Sequence, residues 1–202
     1  MLSSTWSYQT GGDVVSSPAV VHGVVYVGSA DHNLYALNAL TGSKLWSYTA
    51  GDHVSSSPAV TGGVVYFGSS DYKVYALNAR TGAKLWSYAT ENYADSSPAV
   101  ANGVVYIGSY DGSVYALKAR TGDKLWGYQT GSGVFSSPAV ANGVVYVGSY
   151  YGVYALSDRT GVPLWSYDNV GQQDSSPAIV NGVVYIGSYQ GLYAFSLKRG
   201  TN

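Results

Sequence analysis

The sequence predicts an all-β chain: a five-bladed β-propeller of four-stranded antiparallel blades. The ring is expected to be closed by an amino-terminal strand that completes the last blade. Three observations lead there. Tryptophan recurs at positions 6, 46, 86, 126 and 165, at spacings of 40, 40, 40 and 39 residues. Two phrases recur with it, Ser-Ser-Pro-Ala (16–19, 56–59, 96–99, 136–139, 175–178) and Gly-Val-Val-Tyr (23–26, 63–66, 103–106, 143–146, 182–185). The ends are complementary: the fifth unit supplies three strands, ending at Leu197, and Thr5-Trp6-Ser7-Tyr8 matches the fourth. A four-stranded repeat of about 40 residues is the size of a propeller blade.

Each element has a local reason. Strand A opens at Pro18, where a missing N–H costs no ladder bond. The turn to strand B is His22-Gly23, and Asn-Gly at 102–103, 142–143 and 181–182. Asn-Gly accepts the two positive φ angles of a tight hairpin. Strand B is expected over 24–29, strand C over 34–39 and strand D over 45–48, with Thr41-Gly42 turning C into D. One residue is deleted after Ser149. The units fall at about 11–50, 51–90, 91–130, 131–169 and 170–202, with 4–10 as the closing strand, read as a single domain spanning 1–202. Val and Tyr suit a pleated, half-buried surface, and there are 21 tyrosines against a single glutamate, Glu91.

Composition removes several functions. Only 10% of the 202 residues are charged and the net charge is −1, which argues against a nucleic-acid partner that must neutralise phosphates. The absence of cysteine excludes disulfides, thiolate catalysis and cysteine zinc sites. No apolar run reaches the length of a membrane helix. The amino terminus, MLSSTW, shows no signal-peptide pattern.

The pattern Ala-x-Asn-x-x-Thr-Gly-x-x-x-Trp (Ala36, Asn38, Thr41, Gly42, Trp46; Ala76, Asn78, Thr81, Gly82, Trp86) resembles the tryptophan-docking motif of PQQ-like, quinoprotein-type β-propeller repeats. Lys118 and Ser157 replace the Asn in the copies that end at Trp126 and Trp165. The resemblance implies that Trp6, Trp46, Trp86, Trp126 and Trp165 are structural, each tying blades together over Ala and Gly. Ala194 and Gly200, with Arg199 in the threonine place, would dock Trp6 across the closure. The family's dehydrogenases hold a quinone with a cysteine pair, a tryptophan plane and a calcium site. With no cysteine and every tryptophan in a docking motif, no cofactor and no catalytic residue are expected here. Other members are scaffolds in outer-membrane assembly, which implies a prokaryotic periplasmic or extracellular setting.

Differences among the five copies point to one face. The A–B turn and C–D loop barely change; the D–A and B–C loops do, and alternating strand direction puts these two on the same side. Fifteen tyrosines recur within strands. The other six, Tyr72, Tyr93, Tyr110, Tyr150, Tyr151 and Tyr189, all fall in these variable loops, joined by Phe135. Aromatic side chains give flat contact area at low entropy cost. Nine of the eleven acidic residues also fall on this face, and nine of the ten basic ones on the other. Such a dipolar disc favours a basic partner on the loop face. It also allows weak head-to-tail stacking of an otherwise monomeric chain.

The remaining chemistry is sparse. Asp95 and Asp174 share the position just before strand A and face the channel mouth. Calcium between them is the sharper reading, and solvated loop ends the plainer one. Asp31, Asp71 and Asp111 share a position that shapes a turn. His22, His32 and His53 lack a repeated carboxylate partner and are read as solvated, with no metal site. The serine pairs beginning at Ser16-Ser17 are read as structural. The sequence therefore predicts a non-catalytic scaffold that binds a protein through Tyr72, Tyr93, Tyr110, Phe135, Tyr150, Tyr151, Tyr189, Asp95 and Asp174. The alternatives are a lectin-like glycan binder using the same tyrosines, and an amplified or engineered repeat with no ligand.

Overall fold

The computed structural model describes residues 5–168 and 175–196. All regular structure within them is β, in five antiparallel sheets with no crossover. Blade one is β1 (Ala19–Val21), β2 (Val24–Gly28), β3 (Asn33–Asn38) and β4 (Lys44–Thr49). Blade two is β5 (Ala59–Thr61), β6 (Val64–Ser69), β7 (Lys73–Asn78) and β8 (Lys84–Ala89). Blade three is β9 (Ala99–Ala101), β10 (Val104–Gly108), β11 (Ser113–Lys118) and β12 (Lys124–Gln129). Blade four is β13 (Ala139–Ala141), β14 (Val144–Gly148), β15 (Gly152–Ser157) and β16 (Pro163–Asp168). The fifth sheet has three strands, β17 (Ala178–Val180), β18 (Val183–Ser188) and β19 (Gly191–Ser196).

The A–B turns form as their chemistry requires. His22, Asn102, Asn142 and Asn181 hold φ between 48° and 52° ahead of a positive-φ glycine. In blade two the pair is Gly62-Gly63, at φ 58° and 76°. The two middle strands of blades two to four are covered on both faces by neighbouring blades, and those of blade one by blade two on one face and by the segment holding Trp6 and Tyr8 on the other. That is why Leu34-Tyr35-Ala36-Leu37 and its copies through blade four are buried without alternation.

A β-bulge in each of the first four blades was not visible in the sequence. Ala36 faces Trp46 and Leu37 faces Lys44, so Leu45 is the extra residue. The same shift occurs at Ala76, Ala116 and Ala155. The bulge turns the outer strand so that the indole swings toward the following blade. It also leaves Leu45, Leu85, Leu125 and Leu164 exposed on the rim.

Docking therefore runs forward. Trp46 Nε1 donates to the Ala79 carbonyl at 3.0 Å, Trp86 to Ala119 at 2.9 Å and Trp126 to Asp158 at 2.9 Å. Each ring covers a positive-φ glycine, Gly82, Gly122 or Gly161, where an added Cβ would sit less than 3 Å from the indole. Trp6 follows the same rule: it donates to the Ala39 carbonyl at 3.1 Å and covers Gly42. This corrects the expected docking of Trp6 on Ala194 and Gly200; Arg199 and Gly200 lie outside the described residues. Residues 6–10 are not in a strand, so the described sheets include no four-stranded fifth blade.

The repeated serines are the inner cement. Ser16 Oγ accepts from the Gly28 N–H and donates to the Gly28 carbonyl, and Ser56, Ser96 and Ser136 do the same in their blades. The second serine links blades: the N–H groups of Ser17, Ser57, Ser97 and Ser137 donate to the Oγ of Ser57, Ser97, Ser137 and Ser176 at 2.8–3.1 Å.

Candidate functional site

The variable loops form a hydrogen-bonded belt. The loop joining blades one and two donates from Ala50 N to His32 O and from Val54 N to Ser29 O, and accepts from Ser70 N at His53 O. The same stitches recur around Tyr72, Tyr93, Tyr110 and Gly133. Backbone donors and acceptors are thus spent on neighbouring loops, which fixes the side chains that project from them.

Asp31, Asp71 and Asp111 pin this belt. Asp31 Oδ2 accepts from Gly11 N at 2.6 Å and from the Tyr35 hydroxyl at 2.7 Å. Asp71 takes Gly51 N and Tyr75, and Asp111 takes Glu91 N and Tyr115. Burial works against the charge on Asp31 and Asp111. Donated hydrogen bonds outweigh it and hold both below the usual carboxylate range. Burial and the bond to Asp31 push Tyr35 up to about 12. These acids are structural, as their shared repeat position suggests.

Six of the seven aromatic candidates are brought together. Tyr72, Tyr93, Tyr110, Phe135, Tyr150 and Tyr151 form a continuous edge-to-face ladder across blades two to four. Centroids are 4.5–6.3 Å apart and interplanar angles run from 61° to 88°. Tyr72, Tyr93, Tyr150 and Tyr151 stay substantially exposed. Tyr189, on blade five, is 77% exposed. Tyr72 holds φ at +66°, where blade three uses Gly112 at +89°. A bulky residue there is strained, and such strain gathers at functional surfaces.

At the blade-one end the ladder changes chemistry. His32 and His53 occupy the repeat positions of Tyr72 and Tyr93, and their rings sit 5.3 Å apart. Asp52 Oδ1 lies 3.7 Å from His32 Nε2 and 3.8 Å from His53 Nε2. The sequence reading missed this partner because Asp52 does not recur: blade three's equivalent is Asn92. A signal was present, since both histidines and Asp52 replace ladder-loop residues at a single blade junction. Asp95 is half-buried and accepts from Ser70 Oγ at 2.9 Å, so it is not a plainly solvated loop end. Burial raises it above the usual carboxylate range; Ser70 and His53 offset this, and Asp52 adds to it. Its predicted companion, Asp174, lies outside the described residues.

On the opposite face a groove of about 870 Å³ runs between blades one and two. His22, Tyr26, Leu45, Trp46, Thr61 and Arg80 are among its walls. It is lined by the A–B turns of both blades and by Asn78, Ala79 and Arg80, with Trp46 among its walls. A quinone does not fit the described residues. The indoles of Trp6, Trp46, Trp86 and Trp126 are committed to the next blade, and Trp165 packs on Tyr146 and Phe195. Among the described residues no helix is long and apolar enough to cross a membrane.

Comparison with known proteins places this geometry. The structure of BamB from Moraxella catarrhalis superposes with a TM-score of 0.82 at 21% identity, over 95% of this chain and 63% of that one. The computationally designed Ika8 protein gives 0.79 at 19% identity, over 89% and 57%. The quinohemoprotein alcohol dehydrogenase ADHIIG from Pseudomonas putida HK5 gives 0.72 at 21%, over 94% and 43%. The chain thus spans under two thirds of the length of each of these structures. No curated protein sequence matches it. A family model described as outer membrane protein assembly factor BamB matches residues 3–97 and 91–202, and with its β-propeller blades the chain belongs to that PQQ-like repeat family.

Proposed function

We propose that this chain is a non-catalytic scaffold that binds a protein partner through its D–A and B–C loop face. The observation that carries the reading is the six-ring ladder on a belt of mutually bonded loops. Preorganised, half-exposed aromatic side chains supply the anchors of protein interfaces at low entropy cost. Edge-to-face packing also covers ring faces that a sugar would stack on, which favours protein over glycan. Asp13, Asp52, Glu91 and Asp95 give the face a negative field, so the partner is basic where it docks. Family membership supports a bacterial periplasmic or outer-membrane-associated setting. Closure of the ring by residues 4–10 on β19 belongs to the same proposal. It is supported by Trp6, which already docks on blade one as a preceding blade's outer strand would.

A thermal-shift panel separates the readings. A ligand at about 100 times its Kd adds roughly 2.7 kcal/mol, or about 5–10 °C for a chain of this size. Simple sugars, and PQQ with Ca²⁺, are expected to leave the midpoint unchanged. A rise with a sugar replaces the protein-binding reading with a lectin, and a rise with PQQ replaces it with a cofactor protein.

A further inference from the structure

We propose that His32, Asp52 and His53 form a binding site for a divalent transition-metal ion, Zn²⁺ in the first instance, at the junction of blades one and two. One ligand atom from each of the three lies within 4.8 Å of the others. The two imidazole–carboxylate distances, 3.7 and 3.8 Å, are too long for hydrogen bonds. They are close to the separation of about 3.4 Å that two donors adopt around tetrahedral zinc with bonds near 2.0–2.1 Å. The three side chains thus lie at ligand-like spacing without a direct hydrogen bond between an imidazole and the carboxylate. Two neutral imidazoles and one carboxylate are a zinc-type donor set, leaving a fourth position for water or a partner's side chain.

The backbone fixes all three. Asp52 Oδ1 accepts from His53 N at 2.7 Å, which sets the carboxylate beside the ring. His53 O accepts from Ser70 N, and His32 N donates to Ser29 O. His32 is held at φ +73°, a conformation that blade three assigns to glycine. The side chains of His32, Asp52 and His53 are 44–51% exposed, so an ion reaches them from solvent.

The test uses the full, untagged chain and Zn²⁺ alone, by calorimetric titration, with Co²⁺ absorption as a report on tetrahedral nitrogen and oxygen ligation. The expected result is one ion per chain, with affinity unchanged in His22→Ala. It should weaken about ten-fold or more in His32→Tyr/His53→Tyr. That double variant copies Tyr72 and Tyr93 of the next blade, so its fold should survive; circular dichroism checks this. Asp52→Asn, which copies Asn92, gives a second variant that keeps the bond to His53 N and should weaken binding likewise. Absence of heat and of a cobalt spectrum up to millimolar metal would overturn the site. So would unchanged affinity in both variants, or loss of binding in His22→Ala.

Discussion

A single indole shows how tightly these residues are specified. Trp86 is buried, donates to the Ala119 carbonyl and covers Gly122. Trp86→Ala should cost about 3–5 kcal/mol in chemical denaturation, the range for losing a buried aromatic side chain. Gly122→Ala tests the other half of the contact. Its Cβ would meet the ring at 2.8 Å at a φ of +77°, so it too should destabilise. At Asp111 the prediction concerns pH. Its folded pKa is depressed, so its contribution is fully present above the ordinary carboxylate range and is lost as pH falls through the lower folded value. Asp111→Asn should therefore lower stability at neutral pH by about 1–2 kcal/mol, allowing for solvent screening. The gap to the parent should close in acid; a gap constant with pH contradicts the charged role.

At the scale of elements, strands and loops were legible to different degrees. The hairpin at Asn102-Gly103 and the strand holding Leu34–Leu37 follow from local rules, so the repeat revealed them directly. The bulge at Leu45 did not, because Leu-Trp reads the same whether or not an extra residue is inserted, and only register with Ala36 and Leu37 exposes it. The direction of tryptophan docking was hidden for the same reason. In the loops, the aromatic residues were legible as a set because they broke the repeat. Their mutual packing was not, since it joins Tyr72 to Tyr93 and Tyr110 to Phe135 across the boundaries between units. His32 and His53 are legible only singly, because Asp52, which joins them, has no repeated counterpart. The ladder itself makes a prediction. Tyr93 has edge-to-face partners on both sides, so Tyr93→Ala should cost about 1–2 kcal/mol beyond its lost area. A cost near zero in thermal unfolding means the rings are unlinked in solution.

For the whole molecule, the described blades are joined by docked indoles, inner serines and loop stitches, and the sequence predicts charge sorted between faces. Closure predicts slow amide exchange at Ser7 and in β19 if residues 4–10 complete the last blade; fast exchange at both denies it. The dipole predicts association that is detectable by light scattering at low ionic strength and lost above the Debye regime, about 8 Å at physiological salt. A mass independent of salt removes stacking. The central claim, that the loop face is the binding face, is met most directly by a three-way capture from a bacterial envelope extract. The parent is compared with Tyr72, Tyr93, Tyr110 and Tyr151 all changed to Ser, and with Arg80→Glu/Arg120→Glu on the opposite face, each confirmed folded. The account predicts that a protein retained by the parent is lost from the tyrosine variant and kept by the arginine variant. Retention by the tyrosine variant with loss from the arginine variant would place the interface on the other face and contradict it.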